Sequence, residues 1–97
     1  MTEIDVLEKH PLLVDAETLR RTLDMVQNEI QLYKSIVKNF EERYSCDLAT
    51  YQARIERGEL PEHPSWENYI EWGVSADELE RLEVIRKVLE WTLNFFS

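Results

Sequence analysis

Cysteine is almost missing from this chain: Cys46 is the only one in 97 residues. A lone thiol closes no internal disulfide and has no second thiol for a CxxC pair, so the expected compartment is reducing and therefore cytoplasmic. Glycine is as scarce. Gly58 and Gly73 stand apart, and no glycine-rich loop is available to wrap a phosphate. The two histidines, His10 and His63, are far from each other and from Cys46. Metal binding needs several ligands converging, so no metal and no cofactor is expected. No apolar run approaches the ~18 residues of a membrane span. Glu3, Asp5 and Glu8 occupy the region where a signal peptide would be positive. Basic residues are also in short supply, with 11 Lys and Arg against 20 Asp and Glu, a net charge of −9. From Asp47 onward there are 11 acids and 5 bases. Such a surface argues against nucleic acid, whose phosphates need clustered Lys and Arg. It suits a basic protein partner.

What is present is helical periodicity. From Leu19 to Tyr44 the apolar residues are Leu19, Leu23, Val26, Ile30, Tyr33, Val37, Phe40 and Tyr44, in unbroken steps of four and three. That heptad seam predicts one long helix lying against another. Asp15 is its expected N-cap and Glu17 sits in the first turn, where the helix dipole favours an acid. At 1.5 Å per residue the helix is roughly 40 Å long. Leu32 and Ile36 are expected to broaden the face. A chain of this length buries only a little over ~60% of its unfolded surface. The seam at Leu23, Val26, Ile30, Tyr33, Val37 and Phe40 is therefore a candidate self-association surface.

Residues 1 to 14 read as an N-terminal arm, broken by His10-Pro11. After Tyr44, Ser45-Cys46-Asp47 interrupts the helix, and Asp47 is placed to cap a short one that ends at Gly58, a left-handed C-cap position. Glu59 to Pro64 reads as a loop and Ser65 as the next cap. Ser75-Ala76-Asp77-Glu78 has the form of a capping box. A helix is thus expected either to restart near Ala76 or to continue kinked. Two apolar stripes follow: Leu79, Leu82, Ile85, Leu89, Leu93 and Phe96 on one side, Val84, Val88, Trp91 and Phe95 on the other. A helix apolar on two sides is buried on two sides. Pairs four apart, Asp77–Arg81 and Glu83–Lys87, are expected to support the exposed remainder. The expected fold is all-α, a single domain over 1–97: arm 1–14, long helix 15–44, short helix 47–58, C-terminal helices 65–96. The long helix packs in an antiparallel hairpin or bundle with the helical C-terminal half, and oligomers are expected.

Candidate chemistry is thin. Cys46 beside a helix start has a setting that can lower a thiol pKa, but a small buried residue at a helix junction explains it more simply. No carboxylate pair stands out for acid–base work, so an enzyme is not expected. Aromatics are the stronger signal. Trp66, Tyr69, Ile70, Trp72, Trp91, Phe95 and Phe96 form a large apolar load that is either core or an interface in which Trp and Tyr act as anchors. The sequence leaves both open.

Several segments also resemble a known family: Phe40-Glu41-Glu42-Arg43-Tyr44; Asp47-Leu48, Tyr51, Arg54-Ile55 and Gly58-Glu59-Leu60; His63-Pro64-Ser65-Trp66-Glu67 with Ile70-Glu71-Trp72; and Leu79-Glu80 with Leu82. They are similar to small, acidic, all-helical prokaryotic proteins that are antitoxin components of toxin–antitoxin pairs. The similarity covers roughly residues 16 to 90, and the Trp-Glu…Glu-Trp segment is its most distinctive part. Two positions depart from it: Ser45 stands where a glycine is usual, and Gly73 falls in what is more often an unbroken helix. The resemblance implies a small toxin as partner, acting on RNA or nucleotides, and neutralisation by coverage. The alternative is a structural homodimeric coiled-coil scaffold with no toxin partner.

Overall fold

The computed structural model describes residues 15–96, and the expected arm at 1–14 lies outside them. Three helices account for nearly all of the described chain: α1 Ala16–Tyr44, α2 Leu48–Glu56 and α3 Glu62–Leu93, closed by a 3-10 turn at Asn94–Phe96. Both predicted aspartate caps form. The Asp15 carboxylate accepts from the Thr18 N–H at 2.7 Å and Asp47 from the Thr50 N–H at 2.8 Å. Each satisfies an amide that the first helical turn leaves without an intrahelical partner.

α1 and α3 form an antiparallel hairpin, and α2 closes the end where they are joined. Two clusters hold it together. Near the closed end Phe40, Tyr51, Ile55 and Trp72 are buried, with Val37, Tyr44, Leu48 and Tyr69 among the residues packed around them. Further out, Val26 and Ile30 of α1 meet Leu82 of α3, flanked by Tyr33, Leu79, Ile85 and Leu89. From Val26 to Tyr44 the α1 seam is thus covered within the chain, by α3 and, at the closed end, by α2. Ile36 joins the packing, but Leu32 is exposed and does not broaden the packed face.

The hairpin is a thin plate of 58 × 29 × 16 Å with a radius of gyration of 19.2 Å. A compact chain of this length would have about 12 Å. One layer of helices leaves the outward side of each helix uncovered.

Of the two interruptions expected in this part of the chain, the first, ending at Pro64, is present and the second, near Ala76, is not. Just after Glu62, His63 (φ −113°, ψ 131°) and Pro64 (φ −90°, ψ 17°) leave helical geometry, with a cis peptide between them. Past Pro64 the helix runs without a break through Gly73 and Ser75 to Leu93. The capping box is not used. Ser75 is buried in the helix interior, and Glu78 is bonded by Arg81 instead. Glycine costs about 1 kcal/mol in a helix, less than the packing of Trp72 and Leu82 on either side returns. The ion pairs also differ from those expected. Arg81 binds Glu78 rather than Asp77, and Glu83 receives Arg86 at 2.9 Å and, from α1, Lys34 at 3.7 Å.

Three backbone positions carry a prediction of mixed sign. Gly58 has φ +75°, and Gly58→Ala is expected to destabilise by about 1 kcal/mol because a Cβ disfavours that region. Gly73 is ordinary helix, and an added Cβ would meet only the Leu48 Cδ2 at 3.8 Å. Gly73→Ala is expected to stabilise by about 0.5–1 kcal/mol. Ser45 closes α1 in the left-handed region at φ 53°, so Ser45→Gly is expected to stabilise by a similar amount. Urea midpoints measured at constant m-value check all three.

Acid stability follows from the caps and pairs. Hydrogen bonds from Thr18 and Thr50 hold Asp15 and Asp47 below their ordinary 3.8. Glu67 is held below 4.5 by its own backbone N–H and then the His63 ring, Glu78 by Arg81, and Glu83 by Arg86. Carboxyls with depressed folded values bind more protons when unfolded. Their stabilisation is present above the ordinary values and lost as pH falls through the lower folded ones. Protonation also relieves the repulsion of the acidic surface, so the informative quantity is a difference. Asp47→Asn retains an oxygen for the Thr50 N–H and should show a flatter loss of stability than wild type below pH 3.8, read by urea unfolding at stepped pH.

Candidate protein-docking surface

The aromatic residues singled out in the sequence separate into three environments. Trp72 is in the core at 1% exposure, stacked on Phe40 at 5.4 Å and against Tyr51 at 5.3 Å. It cannot touch a partner while the hairpin is folded, which removes it from the set of contact residues. Trp66 and Tyr69 are half-buried, packed edge to face at 5.6 Å against the closed-end cluster. Ile70, Trp91 and Phe95 are exposed, at 61%, 63% and 72%, and Phe96 is also open to solvent. Trp91 and Phe95 lie edge to face at 4.8 Å, so the two rings present one apolar knob at the open end of the plate.

Three polar groups at the closed end belong to the packing and not to this surface. The Asn68 amide donates to the Tyr44 hydroxyl at 2.8 Å, tying α3 to the end of α1. Burial raises the Tyr44 phenol above its ordinary value, and the adjacent Tyr51 hydroxyl raises it further. The Tyr51 hydroxyl is fully buried and has no well-formed hydrogen bond among the described residues.

Because α3 is continuous, its exposed residues keep register over most of its length. Ile70, Val74, Val84, Val88 and Trp91 of α3, and Phe95 of the turn that follows it, are all exposed. With Asp77 and Arg81 between them, they follow steps of four and three from one end to the other. The buried residues Trp72, Ser75 and Leu82 point the opposite way, toward α1 and α2. The sequence showed Val84, Val88, Trp91 and Phe95 as a stripe. It did not join Ile70 and Val74 to them, because Gly73 and the capping box marked a break there. The signal that could have joined them is the unbroken spacing itself.

The α1 residues proposed for self-association are not on this surface. Val26, Ile30 and Phe40 are buried, Tyr33 and Val37 are packed against the two clusters, and Leu23 is half-buried outside both.

A second, polar groove runs between α1 and α3, lined by Gln27, Gln31, Lys34, Glu83 and Arg86. Its charges are paired: Arg86 bonds Glu83 at 2.9 Å and Glu90 at 3.0 Å. Cys46 is half-buried against the closed-end cluster. Among the described residues no three His, Cys, Asp or Glu side chains converge as metal ligands would, and no helix is long and apolar enough to cross a membrane. Compared with family models, curated proteins and solved structures, the chain matches none.

Proposed function

We propose that this chain is a non-enzymatic protein-binding module, an antitoxin-like neutraliser that covers a small basic toxin in the cytoplasm. The observation that supports it best is the exposed Trp91–Phe95 knob, with Phe96 beside it, on a chain of net charge −9. Exposed paired aromatics at the tip of a thin plate are the kind of anchor that dominates binding energy when a partner closes over them. The acidic surround would steer a basic partner and raise its rate of encounter. The half-buried Trp66 and Tyr69 would extend the contact along α3. Trp72 supports the surface from inside.

The test is co-purification from the native source, followed by a toxicity assay of the captured protein. The expected result is a small basic protein that arrests growth when made alone and is tolerated when this chain is co-expressed. Trp91→Ser with Phe95→Ser should abolish both capture and rescue while the helical circular dichroism signal is kept. A captured protein with no toxicity, or rescue that survives the double substitution, would sink the proposal.

A further inference from the structure

We propose that the outer seam of α3 binds a second copy of this chain, running antiparallel, with Asp77 of each copy opposite Arg81 of the other. The proposal goes beyond the neutraliser reading and does not depend on it.

A four-three repeat held over the length of a helix is complementary to another helix and to little else, because only helices interdigitate at that period. Here the repeat is exposed at every position from Ile70 to Phe95. Its apolar members are mostly β-branched near the middle, Val74, Val84 and Val88, and aromatic at the open end.

The two charged members decide the orientation. Asp77 and Arg81 are adjacent positions of the seam and opposite in sign, and a shallow groove lined by Glu80, Val84 and Ile85 runs beside them. A parallel, in-register partner would set Asp77 on Asp77 and Arg81 on Arg81. An antiparallel partner related by a two-fold axis midway between them sets each aspartate on the other copy's arginine. That same axis places Val74 opposite Val84 and Ile70 opposite Val88, so one operation pairs every seam position from Ile70 to Val88. A surface that is complementary to itself under a two-fold rotation is what an isologous dimer requires. Polar residues inside an apolar seam are also the usual means by which helices select register and direction.

The same axis predicts what stays open. Trp91 falls opposite Glu67 of the second copy, in the first turn after the kink, and Phe95 opposite His63, at the non-helical His63–Pro64 step. The aromatic knob therefore projects past each end of the paired helices. A dimer would carry two separated knobs and leave both available. Glu78 and Glu80 of both copies flank the axis and repel. Glu78 is already bonded to Arg81 within its own chain, which lessens that repulsion, and the measurement belongs at physiological salt, where exposed charges are screened beyond about 8 Å.

The experiment is sedimentation equilibrium of the full chain at micromolar to submillimolar concentration. Wild type is expected to reach twice its 11.6 kDa mass. Val74→Glu with Val84→Glu should give a monomer with unchanged circular dichroism and the melting temperature of wild type diluted until it too is monomeric, since association of folded chains itself raises the melting temperature. Asp77→Arg alone and Arg81→Asp alone should each weaken association about tenfold or more, since each sets like charges opposite one another. The double swap Asp77→Arg with Arg81→Asp should restore it. In a parallel pair all three charge variants would leave like facing like, as in wild type, so restoration is specific to the antiparallel arrangement. A chain that is monomeric at every concentration would overturn the proposal, whether residues 1–14 or a foreign protein cover the seam instead. A dimer indifferent to the Val74 and Val84 substitutions, or one not restored by the double swap, would overturn it as well.

Discussion

Trp72→Ala is expected to cost about 3–5 kcal/mol, while Trp91→Ala changes stability by no more than about 0.5 kcal/mol. The two residues are chemically identical and share one helix, so the contrast comes entirely from where the fold puts them. Trp72 fills the space between α1 and α2. It is stacked on Phe40 at an interplanar angle of 7° and tilted against Tyr51. Its removal leaves a cavity walled by rings that cannot collapse onto it. A thin hairpin has little other core to compensate, and natural domains hold only about 5–15 kcal/mol in all. Partial unfolding at room temperature is therefore the expected outcome for Trp72→Ala. Urea titration of both variants gives the answer. Quenching adds a second check that keeps Trp72 in place: in Trp66→Phe with Trp91→Phe the remaining Trp72 should be shielded from acrylamide, and Trp91→Phe alone should remove an accessible part of the wild-type fluorescence. Similar losses in the two variants would mean that Trp72 is not the centre of the core.

Ile30→Ala and Leu82→Ala are each expected to cost about 2–5 kcal/mol, and the double variant less than the total of the two. Ile30 and Leu82 are 3% and 2% exposed and belong to one cluster bridging α1 and α3. The first substitution opens a cavity into which the second deletes a neighbour, so the two share part of one loss. A coupling of about 0.5–3 kcal/mol is the range for residues in contact. Val84→Ala, two positions along α3 but on the outer side, should stay within about 0.5 kcal/mol. Full additivity of Ile30→Ala and Leu82→Ala would argue against the antiparallel alignment of α1 on α3.

Much of α1 was legible in the residues themselves. Its start at Asp15 and its end near Tyr44 follow from a capping side chain and a repeat that stops. Both are local, and local signals survive folding when nothing larger opposes them. α2 was legible for the same reason, between Asp47 and the left-handed Gly58. α3 was not, because two local signals there point the wrong way. Gly73 is a poor helix former, and Ser75 to Glu78 spells a start. Both are outweighed by neighbours buried on the same helix, Trp72 on one side and Leu82 on the other.

The division of the aromatic residues was beyond reach from the sequence. Trp66, Tyr69 and Trp72 lie within seven residues, and their facing depends on how α3 is rotated against α1. That rotation is set by contacts made across the hairpin, such as Asn68 with Tyr44 and Trp72 with Phe40. The first of these joins residues 24 apart in the chain, and the second spans still more. The exposed seam from Ile70 to Phe95 exists only because α3 is continuous.

Residue order alone determined the helical class, the length and caps of α1 and α2, and the surplus of apolar surface. Each of these is a matter of spacing along one helix or of composition. Tertiary structure decided that the α1 seam is covered by α3, that Trp72 is core while Trp91 and Phe95 are surface, and that α3 runs unbroken. The reason is the same in each case: burial of a side chain depends on what lies across from it, and across the hairpin that neighbour is distant in sequence.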